Sequence, residues 1–139
     1  MTGSDRIVDV PEAEEDGRET ILVVDDDPFV LKMCSKSLWN AGYDVVTASN
    51  GMHAIEMCQG IQYRIDLALI DAVMPMMSGP ELEECFEGLG IRVLMMSGYP
   101  EQQLFERLGR KVKYEQFLPK PFTNETLLRA VKQALAREM

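Results

Sequence analysis

The sequence predicts an α/β fold in which five parallel strands form one sheet with helices on both faces. Short apolar runs, which favour strands, alternate five times with segments whose apolar residues recur at helical spacing. Such alternation implies parallel strands joined by right-handed crossovers. Residues 21–24 are apolar at every position, as expected for a central strand buried on both faces. We therefore expect a doubly wound sheet in a chain of 139 residues, which is long enough for one domain with a substantial core.

The first strand, predicted over residues 21–24, ends abruptly at a run of three aspartates. The third of them, Asp27, suits the N-cap of a helix, and Pro28 suits its first position. Helical spacing of apolar residues continues to residue 41, and Gly42 is expected as the C-cap.

The later elements follow from the same two periodicities and from the glycines and prolines between them. Strands are predicted over residues 43–48, 65–70, 91–96 and 114–118, and helices over 50–59, 81–89, 100–109 and from the cap Thr123 onward. The third helix should turn Leu82, Cys85, Phe86 and Leu89 inward, and the last should turn inward Leu127 or Leu128, Val131 and Leu135.

Composition narrows the possible functions of the chain. A formal charge of −9 and a pI of about 4.6 argue against this chain alone gripping nucleic acid or an anionic membrane. Residues 1–19 are polar and acidic and are expected to form a tail or linker, with the domain occupying residues 20–139. No apolar run is long enough to span a bilayer. The three cysteines lack metal-ligand spacing and are expected to be reduced, buried thiols in a cytoplasmic protein.

Polar residues stand just past four of the predicted strands: Asp25 with Asp26, Asp71, Ser97 and Lys120. Because the carboxyl ends of parallel strands lie at one edge of a sheet, these side chains should converge there. Carboxylates ~4 Å apart repel by roughly 4 kcal/mol per pair at an effective dielectric near 20. A hard divalent cation such as Mg²⁺ is the simplest group that would keep them ionised.

Four motifs at these strand ends resemble the receiver domains of response regulators in two-component signalling. They are Val-Val-Asp25-Asp26-Asp-Pro, Leu-Ile-Asp71-Ala-Val-Met-Pro with a later Ser-Gly, Met-Met-Ser97-Gly, and Leu-Pro-Lys120-Pro-Phe. The resemblance covers residues 20–137. It implies a flavodoxin-like fold with strand order 2-1-3-4-5 and a cis peptide bond between Lys120 and the following proline.

The resemblance also implies a role for each residue of the site. Asp71 would accept a phosphoryl group from a histidine kinase or a histidine phosphotransfer domain. Mg²⁺ (or Mn²⁺) would be held by Asp26, Asp71 and the backbone carbonyl of Val73, and through water by Asp25. Lys120 would pair first with Asp71 and then with the phosphoryl group. Ser97 and Phe117 would move upon phosphorylation, which changes the surface of the fourth helix, fifth strand and fifth helix.

Three residues depart from the pattern of many relatives. Phe117 stands where many carry tyrosine, so it lacks a phenolic hydroxyl that could stabilise either position of the ring. Val73 and Tyr99 flank the expected path of an attacking water and are bulkier or less polar than the residues of some relatives. We therefore predict slow loss of the phosphoryl group, with a lifetime longer than minutes.

A second reading of the strand-end residues is a Mg²⁺-dependent aspartyl phosphatase of the haloacid-dehalogenase type. That class places its nucleophile in the first aspartate cluster as Asp-x-Asp-x-Thr, a pattern that residues 25–29 do not fit. If the chain is a receiver domain, its sequence is compatible both with a stand-alone regulator and with the receiver of a hybrid histidine kinase. A homodimer through the fourth helix, fifth strand and fifth helix is also left open.

Overall fold

Ten elements alternate along the part of the chain that the computed structural model describes, residues 17–59, 64–75, 77, 79–108 and 117–137. In chain order they are β1 (Thr20–Val24), α1 (Pro28–Asn40), β2 (Asp44–Ala48), α2 (Gly51–Gln59), β3 (Leu67–Asp71), α3 (Gly79–Gly88), β4 (Arg92–Ser97), α4 (Glu101–Leu108), β5 (Phe117–Pro119) and α5 (Asn124–Ala136).

The strands form one parallel sheet in the order β2-β1-β3-β4-β5, which confirms the predicted fold and strand order. All five residues of β1 are buried, and they include the apolar run 21–24 for which burial was predicted. Successive side chains of a strand point to opposite faces, so Leu22 and Val24 pack in one core cluster and Ile21 and Val23 in the other. The sheet therefore has a hydrophobic core on each side.

The start of α1 follows the predicted capping. The Asp27 side chain accepts a hydrogen bond of 2.9 Å from the backbone N–H of Phe29, and Pro28 occupies the first turn. The C-cap is Ala41 rather than Gly42. Gly42 follows it with φ of 101°, a left-handed conformation that glycine adopts without steric cost.

Strand β3 begins and ends later than predicted, at Leu67 and Asp71. The strand starts late because Asp66 forms two hydrogen bonds with Thr20 at the beginning of β1. The backbone N–H of Asp66 donates to Thr20 O, and the Asp66 side chain accepts from the Thr20 N–H. Its end is extended because Asp71 pairs in register with Met96. Helix α3, in contrast, begins earlier than predicted, at Gly79.

Two of the predicted inner faces need correction. In α3, Leu82 and Phe86 are buried, but Cys85 and Leu89 are exposed. In α5, the buried residues are Leu127, Val131 and Ala134, while Leu128 and Leu135 are only partly buried. The expectation of buried thiols therefore fails at Cys85, holds at Cys34, and is met only partly at Cys58. All three are free.

Some predictions fall on residues outside the described part of the chain. They are most of the acidic tail, residues 1–16, and the first three residues of the predicted fifth strand, 114–116. Among the described residues, no helix has the length and apolar character needed to cross a membrane.

Candidate functional site

The parallel sheet brings the predicted site residues to its carboxyl edge. Asp25 directly follows β1, and Lys120 directly follows β5. Asp71 and Ser97 are the final residues of β3 and β4 rather than the residues after them. Since β1, β3, β4 and β5 are consecutive neighbours in the sheet, their ends form one continuous row.

Three carboxylates form the acidic part of the site. Asp25, Asp26 and Asp71 each place one oxygen within 4.8 Å of the others. Asp25 has no exposed surface and Asp71 is 8% exposed, whereas Asp26 is open to solvent. One side of the cluster is thus embedded in protein and the other faces water.

Lys120 pairs most closely with Asp25. Its Nζ lies 2.9 Å from Asp25 Oδ2 and 3.8 Å from Asp71 Oδ1. Burial alone would lower the pKa of Lys120, but the hydrogen bond to Asp25 and the negative charge of Asp71 raise it above its ordinary value. Lys120 is therefore a permanent cation between the two buried carboxylates. Its closest contact with Asp25 was not anticipated from the sequence.

Asp71 is a carboxylate in an unfavourable environment. Burial, with the nearby charge of Asp25, raises its pKa from 3.8 to about 6, although Lys120 and the Val73 N–H act in the opposite direction. The Val73 N–H lies 3.4 Å from Asp71 Oδ1. A nearby cation would stabilise the ionised form of this carboxylate, so the site favours cation binding. Without a cation, the raised pKa makes the carboxylate more reactive toward electrophiles.

A divalent cation fits this donor set. The three carboxylates offer oxygen ligands, which Mg²⁺ and Mn²⁺ prefer, at mutual distances that one ion can bridge. Asp25 is the least available ligand, since Oδ1 accepts from the Asp27 N–H at 2.9 Å and Oδ2 accepts from Lys120. Its contact with an ion through water stays a prediction.

Ser97 and Phe117 lie at the β4 and β5 side of the site. Ser97 is 1% exposed, and its Oγ accepts a hydrogen bond of 3.0 Å from the Tyr99 N–H. Its backbone carbonyl accepts from the Lys120 N–H at 2.7 Å, which ties the β4 and β5 ends together. The Lys120–Pro121 bond is cis, as expected. Phe117 pairs with Met95 and is half-buried against the core.

Gly79 lies unusually close to the backbone of Asp71 and Ala72. Its N–H donates to Ala72 O, and a Cβ atom at this position would lie 2.7 Å from Ala72 Cα and 3.1 Å from Asp71 O. In the sequence, Gly79 stands out only as the glycine of the Ser-Gly pair that follows the Asp71 motif. Its requirement for a hydrogen side chain became apparent from the neighbouring backbone.

Substitution of Gly79 by alanine should destabilise the protein by about 1–3 kcal/mol, because the added methyl group meets backbone atoms that cannot move independently. Gly88→Ala is a matched control, since a Cβ there meets nothing within 4 Å. It should be neutral or stabilising by about 0.5 kcal/mol. Urea unfolding of both variants measures the difference, and equal stabilities would contradict the packing argument.

Comparison with known solved structures shows that this fold is that of CheY-like receiver domains. Residues 21–132 match the response regulator receiver domain family. The chain therefore belongs to that family, whose members act in two-component phosphorelay signalling. The match gives no support to the phosphatase reading.

Relatives of the chain include kinases and regulators. It is 32% identical over 124 residues to the sensor kinase CckA of Brucella abortus, covering 88% of this chain and 13% of the kinase. It is 33% identical over 118 residues to the CpxR homolog of Haemophilus influenzae, a transcriptional regulatory protein, covering 84% of this chain and 50% of the relative. The chain thus spans half or less of the length of these two relatives.

Among solved structures, the receiver domain of the hybrid histidine kinase CckA superposes with a TM-score of 0.66. It is 31% identical, and the alignment covers 84% of this chain and 98% of that domain. The similarity therefore extends over a complete receiver domain.

Proposed function

We propose that Asp71 is the phosphoacceptor of this receiver domain. The observation that supports the assignment best is its position: a mostly buried carboxylate at the end of a central strand, beside two other acids and 3.8 Å from Lys120. An oxygen of Asp71 attacks phosphorus as the bond to the donor nitrogen breaks. The product is an acyl phosphate, and the electron pair leaves with the donor imidazole.

The surrounding residues position and neutralise the phosphoryl group. Lys120 offers an ammonium close enough to follow the charge from Asp71 to a phosphoryl oxygen. Ser97 offers a hydroxyl and the Val73 N–H a further donor beside the reacting carboxylate. Phosphoryl transfer needs little more from a protein than such positioning and charge neutralisation.

Magnesium, or manganese, is the proposed cofactor. Asp26, Asp71 and the backbone carbonyl of Val73 would hold the ion directly, and Asp25 would contact it through water. When bound, the cation offsets the carboxylate charges and polarises phosphoryl oxygens. The open side at Asp26 leaves access for both ion and donor.

The partners follow from the proposed chemistry. We propose a histidine kinase or a histidine phosphotransfer domain as the donor. We also propose a cytoplasmic location for the domain, which is formed by residues 20–139 after an acidic tail or linker. Phosphorylation adds negative charge at Asp71, which draws Ser97 inward and alters the packing of Phe117. The surface of α4, β5 and α5 would then bind a regulated partner or a second copy. The protein itself would be a phosphoacceptor rather than an enzyme with turnover.

The first test is the intact mass after incubation with Mg²⁺ and acetyl phosphate. The wild type should gain about 80 Da, the mass of one phosphoryl group. The gain should require Mg²⁺ and should be absent in Asp71→Asn, because the amide oxygen is a poor nucleophile. Modification of the Asp71→Asn variant to the same extent would refute the assignment. Repeated release of inorganic phosphate over many turnovers would favour the phosphatase.

Slow loss of the phosphoryl group is expected once it is formed. Val73 and Tyr99 are both partly buried against the apolar core beside the site, and they leave little polar support for an attacking water. Val73→Asn should accelerate the decay because its amide can orient water toward phosphorus. The decay is followed by intact mass after removal of the donor. An unchanged rate in Val73→Asn would show that Val73 does not limit hydrolysis.

A further inference from the structure

Arg107 is connected to Ser97 through one intervening residue. The Arg107 guanidinium, in the last turn of α4, lies 4.4 Å from the centre of the Tyr99 ring. The backbone N–H of the same tyrosine donates to Ser97 Oγ at 3.0 Å. A charged residue of α4 is thus linked to a hydroxyl at the carboxyl edge of the sheet.

The Tyr99 side chain has two restraining contacts. It packs against the core cluster that contains Met95 of β4 and Leu104 of α4, both almost completely buried. Arg107 covers the ring as a cation. Restraint of the ring also restrains the backbone of Tyr99, and therefore the N–H that binds the serine hydroxyl.

In the unphosphorylated domain, Ser97 Oγ accepts a hydrogen bond from the Tyr99 N–H. A hydroxyl can accept this bond and donate another at the same time. In the proposed mechanism, however, Ser97 moves toward the phosphoryl group on Asp71, and displacement of Oγ in that direction lengthens its contact with the Tyr99 N–H. Any interaction that fixes Tyr99 favours the resting position of Ser97.

We infer that Arg107 is a positioning residue that holds Ser97 in its resting position through Tyr99 and thereby slows phosphoryl uptake. The inference rests on the proposed function of Asp71. Its size follows from the contact, since an exposed cation–π pair shifts an equilibrium by about two- to five-fold. Part of the barrier to phosphoryl uptake would then come from this contact between α4 and the β4–α4 loop.

The test compares initial rates of phosphorylation by acetyl phosphate at saturating Mg²⁺. Arg107→Ala should take up the phosphoryl group about two- to five-fold faster than the wild type. Arg129→Ala is the matched control, because Arg129 is an exposed arginine on α5. It should react at the wild-type rate.

Double variants separate positioning from a general structural effect. Arg107→Ala should retain its effect in a Tyr99→Phe background, which keeps an aromatic ring, and lose it in a Tyr99→Leu background. Amide exchange of residue 99, measured by NMR on the unphosphorylated protein, should accelerate by a similar factor in Arg107→Ala. An Arg107 effect that persists without the ring would overturn the inference, as would unchanged uptake and exchange.

The exchange measurement also distinguishes the two proposals. If the wild type takes up no phosphoryl group, the proposed function of Asp71 fails, whereas faster exchange in Arg107→Ala would still support the restraint of Ser97 by Arg107. If the wild type is phosphorylated and Arg107→Ala behaves like Arg129→Ala in both assays, only the role of Arg107 is refuted.

Discussion

Replacing Lys120 by methionine should destabilise the metal-free protein by about 3 kcal/mol at neutral pH, because it leaves the Asp25 carboxylate buried without its cation. Asp25 has no exposed surface, and Lys120 Nζ is 2.9 Å from its Oδ2. The effect lies at the lower end of the range for buried pairs, since the Lys120 side chain is 22% exposed and solvent partly screens the pair. Urea unfolding in the presence of a chelator measures the loss.

Two comparisons make the Lys120 result specific. Lys36→Met removes an exposed lysine of α1 and should change the unfolding free energy by less than about 0.5 kcal/mol. The difference in unfolding free energy between Lys120→Met and the wild type should become smaller in acid, because a protonated carboxyl group has no charge for the Lys120 ammonium to neutralise. A Lys120→Met variant as stable as Lys36→Met would mean that the ion pair adds nothing to stability.

Asp71→Asn should have the opposite effect and stabilise the metal-free protein at pH 7.5. The pKa of Asp71 is raised from 3.8 to about 6 in the folded state, chiefly by burial. The ionised carboxylate therefore costs up to about 3 kcal/mol above pH 6, and this cost declines as the pH falls from about 6 toward 4. Asparagine has no charge to bury, so its advantage should be largest above pH 6 and vanish near pH 4.

Unfolding of both proteins in urea across this pH range, with a chelator present, gives the measurement. Added Mg²⁺ should stabilise the wild type more than Asp71→Asn, because the bound cation offsets the charge that the variant lacks. A variant less stable than the wild type at pH 7.5 would contradict the electrostatic argument. A difference that does not depend on pH would show that the effect comes from packing.

Together the two variants separate the two buried acids of the site. Lys120 Nζ lies at hydrogen-bonding distance from Asp25, whereas it comes no closer than 3.8 Å to Asp71. The paired carboxylate of Asp25 therefore stabilises the fold, whereas the ionised carboxylate of Asp71 destabilises it. Proteins tolerate such an electrostatic cost at functional sites, where ligand or cofactor binding offsets it.

The elements of the fold could be predicted because their signals are local. The apolar run of β1, the cap at Asp27 and the helical spacing after Pro28 each depend on neighbours within a few residues. Parallel connectivity then implied that Asp25, Asp71 and the residue after β5 would meet at one edge. The burial of Cys85 and Leu89 was predicted wrongly, and both residues are exposed. Helical spacing shows which residues share a face, but it does not show which of them the sheet covers.

The chain by itself thus determined which residues reach the carboxyl edge, because strand ends follow from sequence periodicity and parallel strands end together. Only the tertiary structure decided which of them touch. Lys120 lies nearest Asp25, Gly79 contacts the backbone beside Asp71, and Arg107 covers Tyr99. These contacts join residues of different elements, and their distances depend on strand register and helix packing, which no local pattern encodes.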